Sequence, residues 1–178
     1  MRPLLAAAGL TALVGLAGCA QLSGTQPPLS PEAQPVAEVD CRTEGDWWDP
    51  APETRAPAPT PGRVPAGFDA VAALRCQVDF APAPVNGAAD GPTVRIERFE
   101  GDLGPVIDAL AKPDDPVPAN VACTADMELV PALWLEDSAG AVVPVHYPRD
   151  ACGKTKPGVR EAVERLDRVS VSDASFSG

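Results

Sequence analysis

The chain has 178 residues and a net charge of −11 at neutral pH, with 22 prolines, 15 glycines and only 4% aromatic residues. Such an acidic chain repels phosphate backbones, because nucleic-acid binding depends on lysine and arginine releasing counterions; nucleic acid is excluded as a partner class. The length suits one domain with a modest core, in which disulfides contribute materially to stability.

Arg2 precedes an almost wholly Leu, Ala, Val and Gly run from Leu4 to Ala17. That is the charged n-region and apolar h-region of a secretory signal, and it is shorter than the ~20 residues a membrane span needs. No twin-arginine pair comes before it, which favours the general secretion route. The run ends in Leu16-Ala17-Gly18-Cys19. This motif resembles the lipobox of bacterial lipoproteins. The resemblance implies a diacylglyceryl group on the Cys19 thiol, cleavage just before it, and a mature chain lipid-anchored to the outer face of the cytoplasmic membrane. The chain has five cysteines, and lipidation of Cys19 leaves an even set in an exported protein. Two acyl chains give stable anchoring where one is marginal.

After a signal at 1–18, residues 19–40 are rich in Pro, Gln and Ser without a sustained period and read as a tether. In polyproline II it would reach up to ~60 Å from the bilayer. Residues 41–65 mix linker composition with Cys41 and the pair Trp47-Trp48, and read as an irregular segment pinned by a disulfide. Exposed adjacent indoles would offer a binding surface for a sugar ring or a protein partner; as cover for a small core they would be structural.

The folded domain is expected over 66–172, with a tail at 173–178. GFDAVAALRCQVDF reads as a strand ending at Phe80, and TVRIERF as a second strand paired with it as a hairpin. Asp102 is placed to cap a helix whose apolar positions are Leu103, Val106, Ile107 and Leu110, with Pro113 ending it. A strand from Met127 to Leu135, a turn at Asp137–Gly140 and a return strand from Ala141 to Tyr147 form a second hairpin, with Trp134 in the core. Pro157 opens a second helix with Val159, Ala162, Val163 and Leu166 on one face, and i, i+4 pairs Glu161 with Arg165 and Glu164 with Arg168 on the other. The residues after it could supply one edge strand. This ββαββα-like order predicts an α+β fold: a small antiparallel sheet with two helices on one face, preceded by a long Pro-rich segment.

Cys41, Cys76, Cys123 and Cys152 allow three pairings. Cys123 and Cys152 flank the second hairpin at similar distances from its turn, which favours joining them and joining Cys41 to Cys76. No CxxC spacing suggests zinc. The single histidine, His146, has no GxSxG partner and reads as a partly exposed sheet residue; Asp114-Asp115 lacks a spaced ligand series and reads as a solvated loop. No Gly-rich phosphate loop follows a strand, so neither metal nor cofactor is expected.

The composition together with VPAGFDAV, RC, GDL and CGKTKPGV resembles actinobacterial envelope lipoproteins. The expectation is a lipid-anchored, non-catalytic binding or interaction module meeting an envelope protein or cell-wall glycan. The alternatives are a cell-wall enzyme using carboxylates such as Glu97, Glu100 and Asp102, or a purely structural envelope protein.

Overall fold

The computed structural model describes residues 29–41, 57–79 and 93–174. Cys19, Trp47 and Trp48, the expected lipidation and tryptophan sites, lie outside the described residues. Among the described residues no helix is long and apolar enough to cross a membrane.

Five strands form one antiparallel sheet: β1 (Ala70–Asp79), β2 (Thr93–Glu100), β3 (Leu133–Asp137), β4 (Val142–Val145) and β5 (Asp167–Asp173), in the order β4-β3-β1-β2-β5. Two helices, α1 (Gly104–Leu110) and α2 (Val159–Val163), complete an α+β fold. Period-2 alternation decides the faces. On one side Ala73, Phe99, Leu135 and Val143 meet Val106 and Leu110 of α1 and Val159 and Val163 of α2 in the main core. On the other side Leu74, Cys76, Val94 and Trp134 form a second cluster with Cys41 and Val142.

The β3–β4 turn uses both of its special residues. Asp137 Oδ1 accepts from the backbone N–H of Ala139 and Ala141 (both 2.9 Å), and Gly140 takes a positive φ of +81° that a side chain would disfavour. Asp102 Oδ1 accepts from Gly104 N–H at 3.0 Å, one residue before the N-cap position, which Leu103 fills.

Three elements differ from the sequence reading. The second hairpin's first strand begins at Leu133, because Met127 to Ala132 is held by side-chain bonds described below. The second helix stops at Val163, so Glu164 and Arg168 do not pair along it; Arg168 sits in β5 and donates to Glu97 Oε1 at 2.8 Å. The Pro-rich segment is docked from Pro31 onward instead of reaching Asp40 as a free tether. Arg63 N–H donates to Pro31 O (2.8 Å), Ala33 N–H to Arg63 O (2.9 Å), and Val36 and Val142 exchange two backbone bonds (2.8 and 2.9 Å). Gly62 donates to Pro144 O and accepts from His146 N–H; a Cβ there would stand 2.5 Å from Pro31 O, so the crossing requires glycine.

Glu97, on the helix side of β2, is buried between two guanidiniums: Arg75 donates through Nε and one terminal nitrogen (2.9 and 2.7 Å), and Arg168 closes the other oxygen. Arg75 also lies 4.8 Å from the centroid of the Phe99 ring. Burial by itself pushes the Glu97 carboxyl up, but the hydrogen bonds and charges of both arginines outweigh it and hold the group below the usual glutamate range. Glu97→Gln is therefore expected to cost on the order of 2 kcal/mol in urea denaturation at pH 7. A depressed carboxyl contributes fully above its unfolded value of about 4.3, and the contribution fades as pH falls through the lower folded one, so the stability gap between the two proteins should narrow only as pH drops through that lowered range.

Candidate functional site

The two disulfides join Cys41 to Cys76, 35 residues apart, and Cys123 to Cys152, 29 residues apart. The second staples residues 113–132, an irregular arm with no strand or helix, against residues 146–160. Charged groups clamp the arm along its length. Asp114 accepts from Arg149 N–H at 2.7 Å and meets His146 Nε2 at 3.2 Å through both oxygens. Lys156 reaches Pro113 O (2.8 Å) and Asp115, and Lys154 reaches the backbone oxygen and carboxylate of Asp126. Glu128 accepts from Thr155 N–H at 2.8 Å and from its hydroxyl, with Arg160 at 3.5 Å.

This clamping inverts the usual pattern at the end of the arm. Polar Glu128 turns inward onto Thr155, while its neighbours Met127 and Leu129 are left 86% and 73% exposed. Isolated exposed apolar side chains are ordinary, but two held outward side by side on a cross-linked strip present a fixed apolar ridge.

Behind the arm lies a cleft of about 250 Å³ bordered by Asp40, Pro61, Trp134, Pro144, His146 and Tyr147. Three long-range ties assemble it: the Cys41–Cys76 bond beside Asp40, the Gly62 crossing beside Pro61, and the Asp114 carboxylate that holds the His146 ring. Trp134 is buried at 2% exposure, and its indole Nε1 has no hydrogen-bond partner among the described residues. Leaving such a donor unpaired costs on the order of 1–3 kcal/mol. Burial pushes the Tyr147 phenol up to about 12, against the smaller opposing charges of Arg75 and Arg160, so it stays a neutral hydroxyl at physiological pH.

The sequence had marked His146 and Asp114-Asp115 as a bland sheet residue and a solvated loop; the structure pairs His146 with Asp114 and gives Asp115 to Lys156. Nothing short of the fold brings positions 32 residues apart together. Glu97 and Glu100 lie on opposite faces of β2, and Glu100 binds Arg98 at 2.8 Å. Glu100 and Asp102 border one shallow recess beside Arg165. Among the described residues no group of three or more His, Cys, Asp or Glu is placed to hold a metal ion. No family model, curated protein or solved structure matches the chain.

Hydrogen bonds from Thr155 hold the Glu128 carboxyl below its usual range, and those from Thr124 and Lys154 hold Asp126 at about 2. Asp114 is also lowered: burial raises it, and the bonds from Arg149 N–H and His146 more than offset that. All three contributions exist above the ordinary carboxylate range near pH 4 and are lost as pH falls through the lowered values. Protection of the Thr155 and Arg149 amides, measured relative to their intrinsic exchange rates, should be lost between about pH 4 and pH 2 before that of the β1 and β3 amides, while the disulfide keeps the arm attached.

Proposed function

We propose that this protein is a lipid-anchored, extracytoplasmic, non-catalytic interaction module. A diacylglyceryl group on Cys19 holds it to the outer face of the cytoplasmic membrane, and the 113–132 arm meets an envelope protein. The observation that carries the reading is the inverted arm. An extracytoplasmic, oxidising setting fits the two disulfides. A disulfide and seven charged or polar residue pairs hold the arm on which Met127 and Leu129 stay exposed, and exposing apolar groups adds nothing to its stability. A pre-ordered ridge loses little conformational entropy on association, which favours protein recognition. The cations clamping the arm are paired with its own carboxylates, Lys154 with Asp126, Lys156 with Asp115 and Arg160 with Glu128, so charge beside Met127 and Leu129 is balanced and the apolar side chains carry the recognition.

Two measurements test this. Cys19→Ser should abolish incorporation of a palmitate analogue and release the protein from the membrane fraction; retention with unchanged maturation overturns the anchor. A photo-crosslinker at position 127 in intact envelopes should give a discrete adduct that one at exposed Asp108 does not, and Leu129→Ser should reduce it about tenfold. Equal, diffuse labelling from both positions overturns the docking role.

A further inference from the structure

On the helix-packed side of the sheet a second recess, of about 190 Å³, opens between the arm, α2 and β1. Its wall is Leu129 and Pro131 from the arm, Arg160 and Val163 from α2, Arg75 from β1, and Tyr147 just beyond β4. Among the described residues no carboxylate lines it, although the chain as a whole carries a net charge of −11. Each polar group of the wall has donor capacity to spare. Arg75 uses Nε and one terminal nitrogen on Glu97, which leaves the other terminal nitrogen. Arg160 has one long contact, 3.5 Å, to Glu128. The Tyr147 hydroxyl has no partner among the described residues and, unlike the Trp134 indole nitrogen, is not closed off from solvent. The charges that act on this phenol are those of Arg75 and Arg160, which places its oxygen near both guanidiniums. Arg75 and Arg168 share the single carboxylate of Glu97, so among the described residues one positive charge of that network is left without a carboxylate of its own.

We infer that this recess binds a carboxylate carried on a compact apolar group, with the Arg75 and Arg160 guanidiniums and the Tyr147 hydroxyl as its hydrogen-bond donors. Guanidinium N–H groups match the planar, two-oxygen face of a carboxylate, and bonds to an ionised acceptor are stronger than those to a neutral one. Leu129, Pro131 and Val163 reward apolar area, which favours an organic acid over an inorganic anion. The single unmatched positive charge suits a monoanion. A volume below the roughly 300–1,000 Å³ of drug-sized pockets limits the ligand to a short or branched chain. The phenol stays protonated at physiological pH and therefore donates. The Cys123–Cys152 bond and the bonds from Thr155 to Glu128 fix the arm side of the wall before any ligand arrives. A free branched acid and the carboxyl end of a peptide offer this same chemistry, and the site depends on neither Met127 nor the docking role of the ridge.

The test titrates the full chain with 4-methylpentanoate, its neutral amide, and inorganic phosphate, following the Arg75 Nε–H and Val163 amide resonances at pH 7. A saturable shift with 4-methylpentanoate is expected, with the amide and phosphate each bound about tenfold or more weakly. Tyr147→Phe, which keeps the ring and removes only the hydroxyl, and Arg160→Gln, at an exposed position, should each weaken the carboxylate about tenfold while changing affinity for the amide little, with the β-sheet amide resonances in place. Should the tyrosine variant fail to fold, the arginine variant carries the same comparison. N-acetyl-leucine separates the two sources of the carboxylate: tighter binding than 4-methylpentanoate identifies the end of a peptide chain, and weaker binding a free acid. No saturable shift with 4-methylpentanoate, equal affinity for its amide or for phosphate, or unchanged affinity in both variants overturns the inference.

Discussion

Everything on the Trp134 side of the sheet depends on a few backbone hydrogen bonds at the outer edge of β4. Val36 pairs with Val142, and Gly62 bridges Pro144 and His146, so a strand that would otherwise present free N–H and C=O groups is covered by its own chain. Pro144 fits such an edge because it has no N–H to donate. With Val36 seated there, the segment to Cys41 is carried over the second face of the sheet to Cys76, where Cys41 joins the cluster around Trp134. Release of this crossing would remove the cleft wall at Pro61, expose that cluster, and take Ala33 and Val64 away from the helix-packed core.

The two faces solve different problems. The helix side is apolar packing, finished at its open margin by Glu97 between Arg75 and Arg168; the ion network occupies sheet surface the short helices do not reach. The other side has few large residues, and a disulfide and a single tryptophan supply the mass that a third layer would otherwise give. At the far margin β5 is exposed along its whole length, and its ends carry Asp167 and Asp173, which oppose pairing with another acidic copy. The register shift between Arg98 and Phe99 adds a local twist that works in the same direction.

Strand and helix identities were legible where one physical signal dominated. TVRIERF reads as β2 because bulky and β-branched residues alternate with charges, and Leu103, Val106, Ile107 and Leu110 read as one helical face because their spacing brings them to one side of the sheet. The reading failed where tethering replaced periodicity. Met127 to Ala132 has strand-like composition, yet its direction is set by Glu128 bonding Thr155, a contact between side chains 27 residues apart. Arg168 is correctly spaced to serve Glu164 on a helix, but a buried carboxylate on β2 is the stronger competitor, so the chain leaves the helix early.

The sequence alone determined the α+β class, the order of the elements, the acidic character of the chain, and the spacing that brings Cys123 and Cys152 to either side of one hairpin. These follow from local preference and from patterns that need only a few neighbouring residues. Tertiary structure alone decided that Pro31 to Cys41 docks instead of dangling, that His146 takes Asp114 as its partner, that Met127 and Leu129 face outward, and that a cleft opens between Pro61, Pro144 and His146. Each of these depends on which distant groups compete for the same hydrogen bond or the same apolar surface, and that competition exists only once the chain has closed on itself.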